Sequence, residues 1–306
     1  MVRSLFSAVS GLVNHQTAMD VIGNNIANVN TTGFKASTAE FGQAFSQNAR
    51  LANTSTPIGL DIGLGSRIEG TVTDFSQGAF QRTDVPSDVG ISGSGMFTVN
   101  TASTASAGAT VYTRAGNFVT DVNGYLRTSD GYYVQGYTGT GTSLGFNTTL
   151  GSTYTAPTAP TGAVAQASLS NIQIPTSMYD STTGTTLQIS GSGFSIGTNG
   201  AITVTDSAGT SAIIGYVTLA SVQNQNGLSD QGQGYYTTTA ASGSASYYAA
   251  DTGPVGATQA GALELSNADV ATQFSNMIVI QRGYDANAKV ITTSSQMLQT
   301  AVNMVQ

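Results

Sequence analysis

One histidine, His15, stands among the 306 residues, with no cysteine and no tryptophan. The missing thiols exclude disulfides, thiolate nucleophiles and zinc–thiolate sites. A single imidazole completes a catalytic triad only where the fold supplies a serine and an acid, and nothing near His15 suggests either. Asp121-Val122-Asn123-Gly124 and Ser129-Asp130-Gly131 have calcium-loop residue types. They lack the EF-hand spacing and its closing glutamate, and hairpin turns account for them better. Glu69, Asp84 and Asp88 are read as turn and surface carboxylates. The glycine strings at 91–95 and 191–193 lack the GxGxxG spacing and a following helix, and "GLDIGLGSRIEG" has no Lys-Ser or Lys-Thr after it, so no phosphate cradle is read. Asn30, Asn53 and Asn147 begin Asn-x-Ser/Thr strings, which mean little in a chain so rich in these residues. The expectation is a protein that is not an enzyme and needs no cofactor or metal.

The densest polar cluster is of another kind. "DVIGNNIANVNTTGFKAS", Asp20–Ser37, carries Asn24, Asn25, Asn28 and Asn30, then Gly33, Phe34 and Lys35. Amides donate and accept hydrogen bonds without bringing in a charge, which suits a crowded interface.

Composition points the same way. Charged residues make up 8% of the chain, against about 25% in ordinary soluble domains. The surface must be Ser, Thr, Asn, Gln and Gly, as in an extracellular β-rich protein or a subunit covered by its own copies. A net charge of −7 argues against nucleic-acid binding. The scattered lysines and arginines form no polybasic anchor, and no apolar run suits a membrane span. The N-terminus faintly imitates a secretory signal, but His15 and Gln16 interrupt it and its apolar residues keep helical spacing. No cleaved signal is expected.

Two elements must position the amide cluster. Leu5, Val9, Leu12, Met19, Ile22, Ile26 and Val29 recur at helical steps and predict a helix over 4–29. Val270, Phe274, Met277, Tyr284, Ile291, Leu298, Val302 and Val305 belong to a 4-3 heptad seam and predict a helix over 267–306. Ser266 or Asn267 is the expected N-cap, and Asp285 and Lys289 are spaced as an i,i+4 ion pair. Burying one large apolar side chain stabilises by roughly 1.5–3 kcal/mol, so two such seams should find each other. The helix flanks carry Thr, Ser, Asn, Gln and Ala where a solitary coiled coil carries Glu and Lys, so further neighbours are expected as well.

Between the helices, short β-branched and aromatic runs alternate with Asn123-Gly124, Asp130-Gly131 and Asn199-Gly200, each read as a type I′ hairpin. The fold class is therefore α+β and multi-segment: N- and C-terminal helices paired as a coiled coil, with a central all-β domain of hairpins. The expected divisions are 1–32 with 264–306 as the helical assembly domain and 33–66 as a connecting loop or docking segment. The β-domain takes 67–137 and 167–240, a low-complexity loop or rudimentary subdomain 138–166, and a connector 241–263. Phe34, Phe41 and Phe45 read as a docking patch or a small second helix.

The stretch "SLFSAVSGLVNHQTAMDVIGNNIANVNTTGFKAS" resembles the N-terminal signature of the bacterial flagellar rod and hook proteins. "GALELSNADVATQFSNMIVIQRGYDANAKVITTSSQMLQTAVNMV" resembles their C-terminal segment. "GLGSRIEGTVTDFSQGAFQRTDVPSDVGISGSGMFTV", "YTRAGNFVTDVNGYLRTSDGYYVQGY" and "GYVTLASVQNQNGLSDQGQGYY" resemble their β-domain, in the family's order.

The resemblance implies a helical homopolymer: a tube with paired terminal helices inside and β-domains outside. It implies axial partners (distal rod, hook cap and hook–filament junction proteins) and the flagellar export apparatus. It places the chain in the flagellum, outside the cell. Residues 138–170 are too short for the extra outer domain usual in hook proteins, which leans towards a distal rod protein. "VQGYTGTGT" and "GLGSRIEGTVTDFSQGAFQRT" read more like a hook protein, and a short hook subunit that transmits torque as a flexible joint is the expectation. Outside flagella, the competing class is an extracellular β-rich adhesin, which leaves the terminal seams unexplained.

Overall fold

The computed structural model describes residues 2–50, 60–102, 108–138, 157–174, 177–180, 185–206 and 211–304. The chain forms two compact units. The first takes 1–29, 35–75 and 268–306; the second takes 30–34 and 76–267.

Unit one holds both long helices, α1 (Val2–Ala27) and α2 (Val270–Asn303). Both fall within three residues of the spans predicted from apolar spacing. Asp269, not Ser266 or Asn267, caps α2: its side chain accepts from Thr272 N. An aspartate there also complements the positive end of the helix dipole. Asp285 and Lys289 are both exposed, and no ion pair joins them among the described residues, as water competes well for such a pair.

The expected connecting loop at 33–66 is instead strand. Ser37–Gln43 pairs antiparallel with Ser66–Thr73, and Ser46–Arg50 with Leu60–Gly63, in one long hairpin. Phe41 lies in a strand, and the described residues here hold no second helix. Alternation is weak in "STAEFGQAFSQNAR" because little of the ribbon is buried, so periodicity gave no strand signal. Ser10 and Asn14 of α1 reach it: Ser66 N donates to Ser10 Oγ, and Asn14 Nδ2 donates to Ser66 Oγ.

Unit two is an antiparallel β structure. Strands Met96–Asn100, Tyr133–Tyr137 and Ser211–Ser221 run through its centre. Val89, Phe97, Val99, Val134, Val217 and Leu219 there are wholly shielded from solvent. The predicted connector at 241–263 also supplies strands: Ser246–Ala249 pairs with Ser211–Ser221, Ala257–Ala260 with Val89–Ser92, and Ala262–Glu264 with Phe80–Arg82. Most of the low-complexity segment, 139–156, lies outside the described residues.

Hairpins occur at all three Asn-Gly and Asp-Gly pairs, with a different turn geometry. Gly124, Gly131 and Gly200 have positive φ, while the preceding Asn123, Asp130 and Asn199 do not. Type I′ requires positive φ at both central residues; a left-handed glycine alone fits a type I turn closed by a bulge. Asp121 reinforces one such turn, its Oδ1 accepting from Asn123 N and Tyr125 N. Both central residues are left-handed at Gln233-Gly234, between Ser229–Gly232 and Tyr235–Thr237.

Candidate assembly surface

Helices α1 and α2 lie side by side and antiparallel. Asn287 packs against Gly11, His15 against Gly283, and Asn25 Nδ2 donates to Gln273 Oε1 at 3.3 Å. In each pair the residue numbers sum to the same value, so the register holds from one contact to the next.

The facing positions mix large apolar side chains with small and amide ones. On α1 they are Ala8, Gly11, His15, Ala18, Ile22 and Asn25, in unbroken 3-4 spacing. On α2 they are Gln273, Met277, Ile280, Tyr284, Asn287, Ile291 and Ser294, in 4-3 spacing, all buried or half-buried. Small residues let the backbones approach: a Cβ on Gly11 would sit 2.5 Å from Asn287 Nδ2, and one on Gly283 2.7 Å from His15 Nε2.

The expected seam overlaps the contact line only in part. Of its members Ile22 is buried, and Leu5, Leu12, Met19, Ile26, Met277, Tyr284 and Ile291 are half-buried. Val29 is half-buried in the turn after α1. Val9, Val270, Phe274, Leu298 and Val302 are exposed, and Val305 lies outside the described residues. Ile22, Met277, Tyr284 and Ile291 of the expected seam lie on the contact line, and alanine, glycine and amides fill the positions between them. The 3-4 spacing of Ala8, Gly11, His15 and Ala18 was the available signal.

The amide cluster divides by role. Asn25, 1% exposed, joins three elements: its Oδ1 accepts from Ser37 N at 3.0 Å, and its Nδ2 donates to Ser37 O at 2.7 Å as well as to Gln273. It thereby gives a strand residue the two backbone bonds another strand would give. Asn28 folds back to Asn24, its Nδ2 donating to the carbonyl and side-chain oxygens there as the helix ends. Asn30 is exposed, Phe34 half-buried and Lys35 buried. Beside Ala18 and Ile22, a cleft of about 210 Å³ opens among Phe41, Gln273, Asn276, Val279 and Ile280.

In unit two, Gly33 has φ +69°, and a Cβ there would lie 2.6 Å from Ala115 N. Its N–H donates to Glu264 O at 2.8 Å. The Glu264 carboxylate is wholly buried: Oε2 accepts from Arg114 Nη1 at 3.0 Å and Oε1 from Gly78 N at 2.9 Å. Arg114 Nη2 donates to Gly93 O at 2.8 Å. One buried ion pair thus ties together the segments through which the chain enters and leaves the β unit. Neither residue stands out in the sequence, since each depends on a partner far along the chain.

No group of His, Asp and Glu side chains with metal-binding geometry occurs among the described residues. Asp121 is engaged in its turn and beside Arg127, with Oδ2 3.2 Å from Nε. Also among the described residues, no helix is long and apolar enough to cross a membrane.

Paired terminal helices, with a β unit built from the sequence that separates them, are what the N- and C-terminal signatures imply. The family models agree: "Flagella basal body rod protein" matches residues 5–35, "Flagellar hook protein FlgE/F/G D1 domain" 90–204, and "Flagellar basal body rod FlgEFG protein C-terminal" 259–304. Flagellar basal-body rod protein FlgG of Bacillus subtilis is 37% identical over 316 residues, covering 99% of each chain. The chain belongs to the flagellar rod and hook protein family. It is a structural protein, not an enzyme.

FlgG of Buchnera aphidicola (Schizaphis graminum) is 34% identical, with 98% of each chain covered. Flagellar hook protein FlgE of Helicobacter mustelae is 46% identical over 144 residues, 45% of this chain and 31% of its own. The two end-to-end relatives are thus rod proteins by name, and the hook protein matches less than half of this chain. The segment that read as hook-like, "GLGSRIEGTVTDFSQGAFQRT", builds the ribbon strand Ser66–Thr73 and the strand Phe80–Arg82. That is scaffold, and it carries no information about an outer domain.

Proposed function

We propose that this chain is the distal rod subunit of a flagellar basal body, self-assembling into a straight, stiff tube that carries torque. The observation that carries the reading is the end-to-end match to FlgG proteins, against a hook match confined to less than half of this chain. A hook protein's extra outer domain has no counterpart in chain length here. The homopolymer part rests on the exposed apolar side chains of the paired helices: Phe6, Val9 and Val13 on α1, and Phe274, Ile278 and Val279 on α2. A subunit that stayed alone would leave all of these in water at a cost of roughly 1 kcal/mol or more each.

The terminal helices, packed as a coiled coil, form the assembly element, and the loop from Asn28 to Lys35 joins it to the β unit. Partners are further copies, other axial proteins of the flagellum and the export apparatus that delivers the chain outside the cell without cleaving a signal. Complementation tests the assignment. Expression in a motile host lacking its own FlgG should restore swimming, and expression in a host lacking only FlgE should not. The opposite pattern contradicts it.

A further inference from the structure

The central strands of the β unit branch. Met96–Asn100 pairs with Tyr133–Tyr137 through Val99 and Asn100, and with Ser211–Ser221 through Met96 and Phe97. Tyr133–Tyr137 in turn pairs with Ser211–Ser221 through Gly136 and Tyr137. Three ladders thus end against one another. The residue left between them on each strand is Thr98, Gln135 and Thr218.

Successive strand residues point to opposite faces of a sheet. Phe97, Val99, Val134, Val217 and Leu219, which flank the three, belong to the apolar core. Thr98, Gln135 and Thr218 therefore share the other face. That face is closed as well: they are 0%, 2% and 0% exposed. Away from the junction, each keeps an ordinary cross-strand partner, Tyr112, Asn171 and Ala249 respectively.

Thr218 Oγ1 donates to Gln135 O at 3.4 Å. Thr98 Oγ1 and Gln135 Oε1 are buried and have no hydrogen-bond partner among the described residues. Protein interiors leave few such oxygens bare, because each then forfeits the bonds it made to water in the unfolded chain.

We propose that a water molecule is bound at this junction, accepting from the Thr98 hydroxyl and donating to Gln135 Oε1. The two side chains stand where the ladder between their strands has ended and the strands part, which opens room for a bridging molecule. The ligand is water because the site is shut off from larger solutes and none of its side chains carries a charge to hold an ion. It also offers one group that can donate and one that only accepts. The bound water does at the branch what ladder bonds do elsewhere, tying Met96–Asn100 to Tyr133–Tyr137 where their backbones diverge.

Two measurements on the full-length chain test this. A crystal structure that resolves water should show a peak about 2.5–3.0 Å from both Thr98 Oγ1 and Gln135 Oε1. Thermal melting followed by β-sheet circular dichroism compares Thr98→Val, Gln135→Met and the double variant, all close in shape to wild type. Each single substitution strands the water and the oxygen at its other end, and should lower the midpoint by about 2–4 °C. The double variant removes both ends and should melt above the lower of the two singles. A single variant that melts at or above wild type would mean that the oxygens are bare, and overturns the proposal. So does a double variant that loses as much as both singles together, or a wild-type structure with a direct Thr98–Gln135 bond or no peak. The peak decides alone if a variant fails to fold.

Discussion

Glu264 is wholly buried with its charge, held by Arg114 and the N–H of Gly78. Such a pair adds little over a well-packed apolar substitute, but removing one partner strands the other in a low-dielectric interior. Glu264→Ala should destabilise the β unit by about 3–5 kcal/mol in chemical denaturation. A loss under about 1 kcal/mol would mean that the pair is not desolvated as described.

Four tyrosines make a second prediction at this scale. Burial raises the hydroxyl of Tyr236 to about 12, and raises Tyr112, Tyr235 and Tyr247 above the ordinary phenol value. Tyr112 and Tyr247 share a hydroxyl hydrogen bond of 2.8 Å, and Tyr235 donates to Asp130 Oδ2 at 2.7 Å. A raised phenol means that the folded state keeps its proton after the unfolded state has lost it. Stability is therefore full below pH about 10, the unfolded phenol value, and falls as pH rises from there towards the folded values. Tyrosinate absorbance should appear together with loss of β-sheet circular dichroism. Ionisation of all the tyrosines near pH 10 in a folded chain would contradict this burial.

At the scale of elements, the helix pair depends on the small residues at its contact line. Gly283→Leu would drive a side chain into the His15 ring, and overpacking of this kind costs about 1–3 kcal/mol. The helical signal should melt earlier in Gly283→Leu, and His15→Ala added to it should restore part of the loss. An unchanged melting curve would mean that the helices do not meet at this register.

The helices were legible because thirty or so residues of 3.6-residue periodicity outweigh local accidents. Their contact line was legible only in part: Ile22, Met277, Tyr284 and Ile291 lie on it, but hydrophobicity ranks Phe274 above Gln273 while the structure buries Gln273 with Asn25. The hairpins at Gly124, Gly131 and Gly200 were legible through turn chemistry, whereas the Gln233-Gly234 turn has no strong signature at its first position. The ribbon over 37–50 and 60–73 was not legible, since an almost unburied strand shows no alternation. The Arg114–Glu264 pair was illegible because its partners are 150 residues apart.

For the whole molecule, the two units differ in what they need. The β unit carries its own core of fully shielded side chains, from Val89 through Leu219. The helical unit carries few large buried apolar groups and many exposed ones, among them Phe6, Phe45, Ile278 and Met304. On the proposed self-assembly, sister copies would cover these side chains, which fits a surface so poor in charge. The proposed rod reading rests on the full-length alignment to FlgG proteins, because local motifs are shared by the rod and hook proteins that this chain resembles.

Electron microscopy of the concentrated full chain, beside a chain lacking 1–29 and 268–306, tests that dependence most directly. The account predicts straight tubes from the full chain and isolated particles from the trimmed one. Monodisperse particles from the full chain, tubes from the trimmed chain, or curved tubes from either would contradict it.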